Sequence, residues 1–240
     1  MNDPDSPRSQ QQGDRLAEAV SLLAAELTAA PDQDITADHV CHAAVKLLAP
    51  CTAASVTIRE GRHNFQTLSS SDQTSLDLDS LQYRLSEGPC FDVASARVDG
   101  VWSDDLREES RWPEWTRHAL DAGVHGVVAV PLLAGNHRLG AFNLYSHDPG
   151  AWTEDDYHLA QLFTAHATVP LSYAHEADGL STAISNRHTI GIAQGILMRD
   201  YDLDVAAAFK VLQTLSAERN VKVQQLAQQI VAEAEQSRGR

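Results

Sequence analysis

Apolar residues near the start of the chain recur at helical spacing. Leu16, Val20, Leu23 and Leu27 fall at three- and four-residue steps and predict a helix over 14–29. Val40, Ala44 and Leu47 predict a second over 38–48. The pattern then changes to strands at 54–59 and 65–69. Two more, 127–133 and 139–145, flank a Gly135-Asn136 centre and read as a hairpin. Thr153 is placed to cap a new helix, with Glu154, Asp155 and Asp156 at its positive end. Helical periodicity continues from there to about Met198. Pro170 predicts a kink or break within it, and Gly179 a second weak point. Helices, central antiparallel strands and a closing helix define an α+β domain.

The stretch 81–115 departs from this regularity. It holds Gly88-Pro89-Cys90, Asp104-Asp105-Leu106 and Arg111-Trp112-Pro113, with few periodic apolar residues. It reads as a long excursion over one sheet face, with a ligand pocket between the two. Beyond Met198 two further helices are expected. One spans about 205–217, capped by Asp204, and the other about 221–234, capped by Asn220. Val205, Ala208, Phe209, Leu212, Leu215 and Ser216 form an inward stripe in the first; Val223, Leu226, Ala227, Ile230 and Val231 repeat it in the second. With Ile190, Ala193 and Leu197 these stripes predict an all-α three-helix core, Phe209 its only aromatic residue. Leu180, Ile184, Arg187, Gly191 and Gln194 alternate steps of four and three. That heptad-like spacing predicts a linker helix that pairs two copies as a homodimer.

Charge divides the chain. The whole carries −15, but residues 181–240 carry +1 and the remainder −16. Nonspecific nucleic-acid binding by the whole molecule is excluded, while the last sixty residues are free of strong repulsion towards phosphate. An acidic first domain that restrains a neutral second one is the corresponding expectation for control. Residues 1–13 are polar and expected to be a disordered tail. With neither a signal peptide nor a membrane-length apolar run, a cytoplasmic protein without membrane contact is expected. Cys41, Cys51 and Cys90 lack C-x-x-C spacing, so neither a disulfide framework nor a metal site is expected. No cofactor is implied.

Several short segments carry a family resemblance. Leu81-Gln82-Tyr83, Glu87-Gly88-Pro89-Cys90, Asp105-Leu106, Arg111-Trp112-Pro113, Val130-Pro131-Leu132 and Gly140-Ala141-Phe142-Asn143-Leu144-Tyr145 resemble actinobacterial GAF domains. The resemblance implies a GAF-like sensor over 14–175 that takes an unknown small molecule or none. Cys90, Asp105 and Trp112 are its candidate ligand contacts. A cyclic-nucleotide signature is not evident, since Asn143 is followed by Leu144 rather than Lys. Within 176–240, a linker helix and three-helix domain, about residues 180–235 resemble an ANTAR domain through Arg187, 190–198 (IGIAQGILM), Ala208-Phe209, Leu212, Ser216, Asn220, Lys222, Ala227 and Ile230. That resemblance implies a dimeric RNA-binding module that favours two adjacent hairpins in a nascent transcript over a terminator and so acts on RNA polymerase only indirectly. Its candidate RNA contacts are Arg187, Gly191, Gln194, Gly195, Arg199, Asn220 and Lys222. Gln194 stands where the family commonly has Lys, which removes one phosphate contact and leaves an amide.

The function expected is therefore a non-enzymatic, signal-responsive transcription antiterminator. One rival is a sensor acting only through protein contacts. Another is a GAF-type methionine sulfoxide reductase built on Cys90 with Cys41 or Cys51, which needs a low-pKa thiolate for which no basic cluster is evident.

Overall fold

In the computed structural model of the protein, residues 32–61 and 64–238 are described. The helix expected over 14–29 and the tail expected over 1–13 lie outside these residues. The described elements are α1 (Gln33–Leu47), β1 (Ala53–Glu60), β2 (Asn64–Ser70), α2 (Gln73–Leu85), α3 (Pro89–Ala94), β3 (Val101–Ser103), α4 (Pro113–Asp121), β4 (Gly126–Ala134), β5 (His137–Ser146), α5 (Glu154–Tyr201), α6 (Val205–Arg219) and α7 (Val223–Arg238). The chain divides into two units between His175 and Glu176.

The first unit is built on a five-stranded antiparallel sheet in the order β2-β1-β5-β4-β3. The β4–β5 hairpin closes through Gly135-Asn136, as expected, and Gly135 takes the positive φ (59°) that the first position of a II′ loop demands. Strand alternation separates two cores. Ala54, Val56 and Ile58 of β1, with Phe142 and Leu144 of β5, pack against α1 and the start of α5, notably Val40, Ala44, Phe163 and Leu171. Ala53, Ala141, Tyr145 and Val127 face the other way, against Leu78, Cys90, Val93, Trp112 and Trp115.

That second layer corrects the reading of 81–115 as irregular. It holds the end of α2, all of α3, β3 and the start of α4. The helix signals there are caps rather than periodicity. Asp72 caps α2 by accepting from the Ser75 amide at 2.8 Å. Pro89 and Pro113 open α3 and α4, where a missing amide costs nothing. α3, of six residues, is too short to show a hydrophobic period, and α4 shows only the single step from Trp115 to Ala119.

Thr153 caps α5 as expected. Its Oγ1 accepts from the Asp156 amide at 3.2 Å while Asp156 Oδ2 accepts from the Thr153 amide at 3.1 Å, a reciprocal capping box. Neither Pro170 nor Gly179 interrupts α5, which is helical from Glu154 to Tyr201. An interior proline costs about 3 kcal/mol. Burial of Phe163 and Ala167 before it, and Leu171 and Ala174 after it, fastens both flanks to the domain.

In the second unit the end of α5 packs with α6 and α7 around Ala193, Leu197, Ala208, Leu212, Leu226 and Ala227. The three-helix core is present, with two corrections. Phe209 is not part of it: it is 38% exposed, and Val205, one turn earlier, is 60% exposed. Asn220 is not the N-cap of α7. It is the C-cap of α6, in the left-handed conformation that asparagine tolerates (φ 52°), its amide donating to Ala217 O at 3.3 Å. The first helix also continues three residues past Met198, to Tyr201.

Candidate functional site

The two units present polar chemistry in opposite ways. On the inner sheet face of the first unit, α2 lowers Asp79 on to the strands, where it is fully buried. Tyr145 Oη donates to its Oδ1 at 2.6 Å and Asn143 Nδ2 to the same oxygen at 3.2 Å. Thr67 Oγ1 donates to Oδ2 at 3.1 Å. Tyr83 Oη lies 2.8 Å from Thr67 Oγ1 and 2.7 Å from Thr57 Oγ1, and the Cys90 thiol donates to Thr57 Oγ1 at 3.2 Å. Thr57 Oγ1 also reaches Asp79 Oδ2, at 3.5 Å, so Thr57 and Thr67 both donate towards the carboxylate and Tyr83 bridges the two threonines.

A carboxylate fully buried with no ion pair among the described residues is costly to keep charged. Burial pushes the Asp79 carboxyl up from 3.8 to about 6, against the pull of the hydroxyl donors around it. Burial likewise pushes the Cys51 thiol up to about 12 and raises the Cys41 and Cys90 thiols further. All three cysteines are buried and free. Asn143 Oδ1 is buried with no hydrogen-bond partner among the described residues. Rotating the amide to employ it would turn that oxygen towards the ionised Asp79.

The turn into α3 is built around this cluster. Gly88 has φ 131°, and a side-chain carbon there would meet Gln82 Oε1 at 2.3 Å. The glycine therefore leaves room for Gln82 Oε1 to accept from the Cys90 amide at 2.7 Å. Of the three ligand contacts expected from the sequence, Cys90 lies in this cluster. Asp105 is elsewhere. It caps the 3-10 turn Leu106–Glu108 and pairs with Arg107 at 2.5 Å. Hydrogen bonding from Arg107 lowers its carboxyl to about 2. Trp112 is buried against Trp115, rings edge to face at 6.1 Å, and its Nε1 donates to Asp92 Oδ2 at 2.8 Å. Asp79, Thr57 and Thr67 were not singled out from the sequence, and Tyr83 was named only within a segment that carries the family resemblance, not as a site residue. The only signal available was polar residues alternating with Ala54, Val56 and Ile58 along β1, which usually marks a solvated strand face.

In the second unit the candidate contacts are at the surface. Arg187, Gly191 and Gly195 are exposed and Gln194 is half-buried, all on α5. The spacing of Arg187, Gly191 and Gln194 puts them on one face of that helix. Gln194 Nε2 donates to Val205 O at 3.3 Å, which joins that face to the first turn of α6. Asn220 and Lys222 are exposed at the turn between α6 and α7. Arg187, Lys210 and Lys222 have no ion pair among the described residues, whereas Arg199 is held by Asp200 at 2.6 Å. The described residues contain no cluster able to hold a metal ion, and no described helix is long and apolar enough to cross a membrane.

Comparison with known proteins agrees with this division. The chain belongs to the GAF domain family, whose model matches residues 30–171. The ANTAR domain model matches residues 178–231, which makes the protein a GAF- and ANTAR-domain-containing regulator: a sensor domain followed by an RNA-binding antiterminator domain. No curated protein sequence matches it. Among solved structures it resembles the GAF domain of a phosphoenolpyruvate-protein phosphotransferase from Coxiella burnetii, at 16% identity and TM-score 0.54, covering 69% of this chain and 97% of that one. The corresponding Acinetobacter domain has 12% identity and TM-score 0.53, over 68% and 97%. A free methionine-R-sulfoxide reductase from Neisseria meningitidis has 12% identity and TM-score 0.50, over 74% and 98%. At these identities the likeness shows a shared fold alone.

Proposed function

We propose that the protein is a signal-responsive transcription antiterminator whose second unit binds paired hairpins in nascent RNA. The observation that carries this reading is the unpaired set Arg187, Lys210 and Lys222 on the exposed surface of the ANTAR-matching helices. Phosphate contacts from such cations supply affinity, and amides such as Gln194 and Asn220 read base edges. The exposed Leu180 and Ile184, 65% and 63% accessible, are the seam through which two copies pair. Pairing doubles the contacts of a unit with modest net charge. The action on RNA polymerase is indirect, through the RNA, and the protein works in the cytoplasm.

The first unit takes the signal as a small molecule on the inner sheet face beside Cys90, and the buried Asn143 oxygen, which has no partner among the described residues, is its candidate acceptor. Trp112 belongs to the same core layer, and Asp105 caps the 3-10 turn whose Leu106 packs into it. We assign the unit no catalysis, since its thiols are buried and their pKa values raised, the opposite of what a cysteine nucleophile requires.

Crosslinking in cells followed by sequencing of the bound RNA tests the reading. It is expected to recover tandem hairpins that overlap terminators. Recovery of protein partners with no enriched RNA would favour the rival, a sensor that acts through protein contacts.

A further inference from the structure

The exposed Phe209 is left unused by the fold. Its side chain is 38% accessible on a unit whose core consists of aliphatic residues among the described ones. Val205, one turn earlier, and Gln213, one turn later, are exposed on the same side of α6. Gln194 of α5 bonds to the carbonyl of Val205 and so adjoins this row, while Arg187 and Gly191 lie on the same face of α5 as Gln194. The resulting surface is an aromatic ring among uncharged amides, with the unpaired Arg187 on α5 and the unpaired Lys210 next along α6. A dry interface between two protein copies excludes such amides or pairs them. A face of RNA that presents unpaired bases matches them: the ring offers a stacking surface, the amides offer donors and acceptors to base edges, and the cations meet phosphate.

We infer that Phe209 is a specificity-determining RNA contact, stacking on an unpaired base of a hairpin loop. This rests on the RNA-binding reading above. Stacking distinguishes a ring from an aliphatic side chain of similar size, and it releases no counterions. Removing it lowers affinity at every salt concentration without changing the salt slope, whereas removing a phosphate contact flattens the slope.

The test uses the full chain and a pool of tandem-hairpin RNAs with randomised loops. Binders are selected with the unaltered protein and then measured against Phe209→Leu, Phe209→Trp and Arg187→Gln. We expect F209L to weaken binding about 5- to 150-fold with an unchanged salt slope, the range of one lost base–aromatic stack. F209W should stay within a few-fold of the parent. All four native tryptophans, at 102, 112, 115 and 152, precede the second unit. The fluorescence difference between F209W and the parent therefore isolates the new ring, and RNA is expected to quench it. R187Q should flatten the slope by about one. Equal binding by F209L and the parent overturns the proposal. So does a loss in F209L that disappears when protein concentration is raised and coincides with monomers in sedimentation, which would make Phe209 a contact between two copies. Failure of the unaltered protein to enrich any RNA would instead overturn the RNA-binding reading itself, and this inference with it. Melting curves of each variant, expected to match the parent, keep a folding defect from imitating a lost contact.

Discussion

The first unit hides its polar chemistry and the second displays it. Asp79, Asn143, Thr57 and Tyr145 are fully buried and joined in one hydrogen-bonded cluster. Arg187, Asn220 and Lys222 are exposed. A buried cluster gains strength from low dielectric but is unforgiving of any unpaired group. An exposed set gains little from its own fold and leaves its bonding capacity for another molecule. The contrast separates the two tasks, since a sensor needs a site that responds to occupancy and a reader needs one that is available.

Breaking the smaller core gives the largest effect. The second unit depends on few buried apolar side chains, and Leu212 is fully buried at their centre. Leu212→Ala should cost about 2–5 kcal/mol. Calorimetry of the full chain should then show the transition of the second unit moved down and that of the first unmoved. If both move together, the units do not unfold independently. RNA binding by L212A should fall in proportion to the unfolded fraction.

The second effect comes from Asp79. Its carboxyl is raised in the folded state from 3.8 to about 6, so between those values the folded protein holds a proton that the unfolded chain has released. This contribution favours folding fully below 3.8, weakens as pH rises towards 6, and is absent above. The full span corresponds to about 3 kcal/mol at most. Melting of the first unit at pH 5 against pH 7.5 should therefore show a stabilisation at low pH that Asp79→Asn reduces. The comparison of the variant with the parent cancels the pH-dependent contributions that the two share. If D79N and the parent share one pH profile, the carboxylate is already neutralised in some other way.

These effects also show why parts of the architecture were legible in the chain. Long elements with a full period, such as α1 and the β4–β5 hairpin, carried their own signal in Val40, Ala44 and Gly135. The helices α3 and α4 did not, because each is opened by a proline and fixed by its neighbours, α3 by the sheet and α4 by α2. The continuity of α5 through Pro170 was hidden for the same reason, since the burial that offsets the proline comes from residues distant in sequence. Asp79 was invisible as a site because its neighbours come from β1, β2, α2 and β5. Phe209 shows the converse error. Its spacing belongs to a helical stripe, but spacing cannot tell the centre of a buried face from its rim.

The smallest effect is the sharpest for the comparison. Gly191 and Gly195 are exposed in the last quarter of α5, short of its final turn, and a side-chain carbon added at either would meet nothing within 4 Å. Packing inside this chain therefore gives no reason for them, although each costs a helix about 1 kcal/mol relative to alanine. A displayed surface supplies the reason if another molecule approaches the bare backbone closely. Gly191→Ala should then raise the melting temperature of the second unit and, at the same time, weaken its binding to selected tandem-hairpin RNA. Gly179→Ala is the control: it is equally open in α5 but away from the row of Arg187, Gly191 and Gln194. It should raise the melting temperature and leave RNA affinity unchanged. Opposite signs for stability and binding at Gly191, with stability alone at Gly179, would mark the first as part of the reading surface. A G191A variant that is more stable and binds RNA as tightly as the parent would remove Gly191 from that surface and leave its glycine without a structural account.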